Sequence, residues 1–141
     1  MKLTFLVVFG LLTAGKPAVT RNATPKPPDE SLVIQHADMP SYPAMARVAH
    51  VTGTVQIEIT IRNGVVVQSE QRSSVHPILI NAALENVRTW KFRPDANAKF
   101  SVTYIYLLKK KRSASGNPRI EMELPYLVKI TAQPPQTTTN Y

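Results

Sequence analysis

The amino-acid sequence predicts an α+β domain in which a small antiparallel sheet of three to four strands carries two helices on one face. Three observations predict it. Residues 54–61 alternate without a fault, with Val55, Ile57, Ile59 and Ile61 on one side and Gln56, Glu58 and Thr60 on the other, the period-two signal of a half-buried strand. Asn63-Gly64 follows at once and suits the positive φ angles of a two-residue hairpin turn. Leu79, Ala82, Ala83, Val87 and Trp90 then recur at helical spacing, with Asn81, Glu85 and Arg88 largely opposite, as in an amphipathic helix laid on a sheet.

The 141 residues, 43% hydrophobic and 18% charged, suffice for one compact domain with tails and argue against two independent cores. Lys and Arg number 17 against 9 Asp and Glu, a net charge of +8, which favours anionic partners and is silent about fold. Cysteine is absent, so disulfides, thiolate metal sites, a Cys nucleophile and a lipoprotein anchor are excluded. His36, His50 and His76 lie far apart with no ligand spacing between them, and no metal or other cofactor is expected.

The elements follow in order. Met1-Lys2, the apolar run 3–12 and the small residues Thr13-Ala14-Gly15 have the pattern of a secretory signal over residues 1–15. The competing reading is an uncleaved inner-membrane anchor. Leu3 to Ala14, however, makes only about 18 Å of helix against a hydrocarbon core of about 30 Å. Residues 16–39, with Pro17, Pro25, Pro27 and Pro28 among polar residues, read as an extended linker. The domain is expected over 40–108. It opens with a short helix in 41–50, where Pro43 suits the first turn and Met45, Val48 and Ala49 share a face. After the 54–61 strand and its turn, residues 65–72 form the returning strand, apolar at Val65-Val66-Val67 and polar beyond. Ser73 or Ser74 is expected to cap the long helix, with Pro77 in its first turn. Phe100 to Leu108 is a third strand, with Phe100, Val102, Tyr104, Tyr106 and Leu108 on one face, and Ile105 and Leu107 on the other. Residues 109–141 hold a basic connection, an extra edge strand within Ile120–Leu124 and Tyr126–Ala132, and a polar tail.

One set of residues, in this order, carries a resemblance: Tyr42-Pro43 with Ala46-Arg47, Gly53-Thr54-Val55, Asn63-Gly64, Ser73-Ser74, Ala82-Ala83-Leu84 and Trp90-Lys91-Phe92-Arg93-Pro94. Over about Pro40 to Leu108 the chain closely resembles the carboxy-terminal domain of the TonB family, whose members pair a YP-x-x-A-R start with a W-x-F-x-P end. The resemblance implies a periplasmic interaction module that works in TonB-dependent transport. It implies that the domain takes an extended, TonB-box-type peptide of an outer-membrane receptor as an added strand. The row so implied is the edge of the last family strand: Val102, Tyr104, Ile105, Tyr106 and Leu107. It also implies that an open edge can exchange strands into a homodimer. Two departures weigh against a motor-driven transducer: the apolar run is short and the Pro-rich arm modest. If Tyr126–Ala132 pairs with the Phe100–Leu108 edge, the row is blocked from within.

The quoted residues also have a plain structural reading, in which Tyr42, Trp90 and Phe92 pack the seam between helices and sheet. Lys109, Lys110, Lys111 and Arg112 form the densest part of a basic patch. It fits a solvated face, or contact with cell wall or anionic lipid. The alternative function is therefore a self-capped structural envelope protein that uses this basic face; nucleic acid does not suit an exported protein. An enzyme is the weakest reading, because Ser73-Ser74 and His76 lack an acidic partner and an oxyanion motif.

Overall fold

The computed structural model describes residues 32–110 and 116–135, with residue 15 alone before them. The expected signal segment, most of the linker, Lys111 and Arg112 of the basic patch, and the polar tail beyond residue 135 lie outside the described residues. In chain order the elements are β1 (Ile34–His36), α1 (Ala44–Val48), β2 (Gly53–Arg62), β3 (Val65–Gln71), α2 (Pro77–Arg88), β4 (Lys91–Phe92), β5 (Ala98–Leu108), β6 (Arg119–Glu123) and β7 (Leu127–Ala132). All strands join one seven-stranded sheet in the order β1-β4-β3-β2-β5-β7-β6. The expected sheet of three to four antiparallel strands is thus corrected to a larger, mixed one, in which β5 and β7 run parallel.

The sheet is built outwards from β2. Its four branched residues Val55, Ile57, Ile59 and Ile61 are all fully buried, and they face the same side as Val102 and Tyr104 of β5, their partners being set by the Val55↔Tyr104 and Ile57↔Val102 register. The hairpin forms as expected: Asn63 (φ 50°) and Gly64 (φ 78°) turn β2 into β3, and a bulge between Thr60 and Ile61 shifts the register beyond the turn. Gly64 is required on a second count. A Cβ there would lie 2.6 Å from the Arg93 carbonyl oxygen and 2.7 Å from that of Phe92. Both contacts are with backbone, which cannot swing away. Gly64→Ala is therefore expected to cost about 2 kcal/mol or more, from left-handed strain plus overlap, read as a lowered urea midpoint.

The two helices cover one face. α2 packs over β2 and β3 and buries Leu79, Ala83, Asn86 and Val87. Its cap differs from the expectation. His76 is the N-cap, its Nδ1 accepting the Ile78 N–H at 3.2 Å, whereas the Ser73 hydroxyl oxygen accepts the Gln56 N–H. α1 also turns the other way round. Ala46 is its buried residue, and Met45 and Val48 are exposed, because one and a half turns set by Pro43 and the Tyr42 anchor override a three-residue periodicity. The Tyr42 hydroxyl donates to the Val51 carbonyl, and its ring meets Tyr106 edge-on at 5.3 Å.

The core runs from Trp90 through Tyr104 to Tyr106. At its centre, buried Asn86 accepts the Tyr104 hydroxyl at 2.8 Å and the Trp90 indole N–H at 3.3 Å, and donates to the Asp38 carbonyl at 2.8 Å. The Tyr106 hydroxyl, by contrast, is buried with no hydrogen-bond partner among the described residues. An unpaired buried hydroxyl opposes folding, so Tyr106→Phe is expected to leave stability unchanged or raise it by up to about 1 kcal/mol, measured by chemical denaturation. Part of the expected linker belongs to the fold as well: Leu32 is buried, and Ile34 pairs opposite Phe92.

Candidate functional site

The sheet ends at β1 on one side and β6 on the other, and β5 lies inside it. The expected contact row, Val102, Tyr104, Ile105, Tyr106 and Leu107, is therefore not a bare edge. β2 pairs with it along one side, from Gly53↔Tyr106 to Ile61↔Ala98. β7 pairs along the other, from Thr103↔Leu127 to Leu108↔Ala132. The ends of that second seam are fastened by Thr103 N–H to the Tyr126 carbonyl at 2.8 Å and Lys109 N–H to the Ala132 carbonyl at 2.9 Å. Val102, Tyr104 and Tyr106 point into the core, while Leu107 is exposed. The expectation of one extra edge strand is corrected in the same place: the segment makes two strands, and the inner one fills the row.

β7 is no loose flap. Val128, Ile130 and Ala132 reach the same inner face as Tyr104 and Tyr106 and are 0%, 0% and 2% exposed. The Arg47 guanidinium of α1 donates through Nε to the Gln133 carbonyl at 2.9 Å, tying the end of β7 to α1. Among the described residues two strands are paired on one side only, the three-residue β1 and the five-residue β6, so β6, paired to β7, is the longer open edge. Ile120 and Met122 of β6 pack against the core margin, opposite Ile130 and Val128. Arg119, Glu121 and Glu123 alternate with them onto the other face. Leu124 and Tyr126, in the turn to β7, are exposed.

That other face, away from the helices, is polar and charged. Glu58 of β2 is bridged by Arg72 at 2.7 Å and Lys99 at 3.0 Å, which together hold its carboxyl below the ordinary carboxylate range. Glu121 of β6 is bridged by Lys129 at 3.3 Å and Arg119 at 2.7 Å, and is lowered in the same way, Lys129 contributing most. Lys109 and Lys110 of the basic patch are exposed beside this face. Between Lys109 and β6 opens a cleft of about 350 Å³. The buried hydroxyls of Tyr104 and Tyr106 are pushed upward by desolvation and stay neutral.

Two of the residues weighed for catalysis have structural partners: His76 caps α2, and the Ser73 hydroxyl oxygen accepts the Gln56 N–H of β2. Among the described residues no group of three His, Asp or Glu side chains could share a metal ion, and no helix is long and apolar enough to cross a membrane. Sequence reasoning missed Arg119 and Thr131, which line the cleft. The available signal was the contrast between charged Arg119, Glu121 and Glu123 and the apolar alternation Val128, Ile130, Ala132, which assigns the first strand to an edge and the second to an interior.

Among curated proteins no sequence matches the chain. The family described as the Gram-negative bacterial TonB protein C-terminal matches residues 38–109. The matched span begins just before the Tyr42 anchor, ends just after β5, and covers slightly more than half of the 141 residues. It takes in α1, β2, β3, α2, β4 and β5, with β6 and β7 added beyond it. The chain thus belongs to the TonB C-terminal family, a family of non-enzymatic protein-interaction modules of the Gram-negative envelope.

Proposed function

We propose that the protein is a TonB-like periplasmic module that takes an extended segment of an outer-membrane receptor as an added strand, in the context of TonB-dependent transport, and that the receiving row is the outer edge of β6. One observation carries this reading: among the described residues β6 is the longer of the two terminal strands, five residues against three in β1, and has a neighbour on one side alone. An unpaired strand edge offers main-chain donors and acceptors to any extended chain. A partner reaching β5 instead has to expel β7 and expose Val128, Ile130 and Ala132, all buried now. At β6 an added strand would continue the core margin over Ile120 and Met122, and Arg119, Glu121 and Glu123 would select its charges on the other face.

The test is a calorimetric titration of the full chain with synthetic peptides that copy receptor amino-terminal segments. Prolines placed singly at Glu121 and Met122 remove N–H groups from alternate sides of β6. The variant that loses the outward N–H, and keeps its β7 pairing, is expected to bind about tenfold more weakly or worse. Peptide binding that both prolines leave untouched rules out β6 as the row.

A second reading is favoured by the filled β5 seam: a self-capped envelope domain whose outer cations contact anionic lipid or wall polymer. It predicts binding to such surfaces that falls steeply as salt is added, with indifference to receptor peptides.

A further inference from the structure

The outer edge of β6 is complementary to its own copy. At the two ends of the β5–β7 seam the Tyr126 and Ala132 carbonyls accept from Thr103 and Lys109. Main-chain groups alternate in direction along a strand, so the even-numbered residues of β7 turn theirs to β5 and the odd-numbered ones turn theirs to β6. The pairs Arg119↔Thr131, Glu121↔Lys129 and Glu123↔Leu127 are therefore the hydrogen-bonded ones. Ile120 and Met122 are left with N–H and C=O aimed outwards. Pro118, just before the strand, has no N–H to offer and ends the usable row.

A second β6 can be laid antiparallel to the first about a two-fold axis through Glu121. Ile120 then meets the second copy's Met122, and Met122 its Ile120. These pairs exchange both main-chain bonds and continue the half-buried apolar row of the inner face. On the other face Arg119 meets the second copy's Glu123, and Glu123 its Arg119, as cross-strand pairs of opposite charge. Of the two β6 acids only Glu121 is ion-paired among the described residues, so Glu123 gains a partner. The one like-charged pair is Glu121 against itself, and each of these carboxylates already lies beside Lys129 at 3.3 Å and Arg119 at 2.7 Å. A strand guarded against such pairing carries an inward-facing charge, a proline or a bulge within it. β6 has an apolar inward row and an unbroken register with β7.

From this self-complementarity we infer that the protein forms a two-fold symmetric dimer by antiparallel β6–β6 pairing in this register, joining two sheets into one. Such a contact closes on itself. No strand leaves its own fold, unlike the exchange that the family resemblance implies. The interface is short, five residues from each copy, so the association is weak, in about the 10–500 µM range. The dimer goes beyond the receptor reading, since it needs no receptor. That it withholds the receiving row until a receptor segment displaces it rests on that reading.

The experiment is sedimentation velocity of the full chain from about 5 µM to about 1 mM, across that range. The average mass is expected to rise from one chain towards two. Arg119→Glu and Glu123→Arg change exposed side chains and set like charges opposite each other, so each alone is expected to weaken the dimer about tenfold or more. An equimolar mixture of the two variants restores opposite charges at both pairs and is expected to associate within about threefold of the parent. A parent that stays monomeric throughout overturns the dimer, as does a dimer that both charge variants leave unchanged or a mixture no stronger than its components. Peptides that copy receptor amino-terminal segments, added to the parent, separate the two readings. Displacement of the dimer supports the shared row. Peptide binding at unchanged mass places the receptor segment elsewhere and leaves the dimer standing, and absent peptide binding removes the receptor reading alone.

Discussion

Asn86→Ala is expected to cost about 3 kcal/mol or more, one of the two largest single-residue effects considered for this fold. The side chain makes one donor and two acceptor bonds inside the domain, to the Asp38 carbonyl, the Trp90 indole and the Tyr104 hydroxyl. Trp90 and Tyr104 are both fully buried, so water cannot replace the lost acceptor without entering the core. Each buried donor left unpaired costs about 1–3 kcal/mol, and the vacated volume adds to that. Asn86→Asp separates the terms: it keeps acceptors for Trp90 and Tyr104 but loses the N–H to Asp38 and introduces a carboxylate where charge is poorly solvated. Both variants should unfold at lower urea concentrations than the parent, and Asn86→Ala by about 2 M for a typical slope near 1.5 kcal/mol per M. A shift under about 0.3 M shows that the network contributes little.

Ile130→Ala is expected to cost about 3 kcal/mol, within the range for emptying a fully buried aliphatic site. The number matters because it decides what β7 is. A strand that came and went from the β5 edge would tolerate the loss of one side chain. A strand that shares the core with Tyr106, its parallel partner, would not. Hydrogen exchange supplies the companion measurement. The β5 amides hydrogen-bonded to β7 should be protected to the level of global unfolding, whereas early exchange confined to that seam identifies local detachment of β7.

Much of the family portion was legible from the residues. The alternation Val55 to Ile61, the Asn63-Gly64 turn and the spacing from Leu79 to Trp90 each encode one element through its own period, and all three elements formed where expected. What was not legible depends on competition between distant segments. Ile120–Leu124 and Tyr126–Ala132 read together as one extra edge strand, with pairing of the latter to β5 standing only as a condition. Leu127–Ala132 does pair there, and Arg119–Glu123 makes a second strand beyond it, since Val128 and Ile130 gain more by burial than Glu121 and Glu123 could. The His76 cap went unread because serine is the commoner choice, although an imidazole nitrogen accepts the same bond. α1 was too short for its periodicity to indicate which side faces inward.

The path of the chain through the last three strands also bears on biosynthesis. Leu108 leaves the ribosome 24 residues before Ala132, an interval of about 1–5 s at ordinary translation rates. Throughout it, the emerging polypeptide carries a long aromatic strand whose eventual neighbour does not yet exist. Messages cut short in that window therefore encode a sticky product, and chaperone dependence should be greatest for chains terminated just before codon 127.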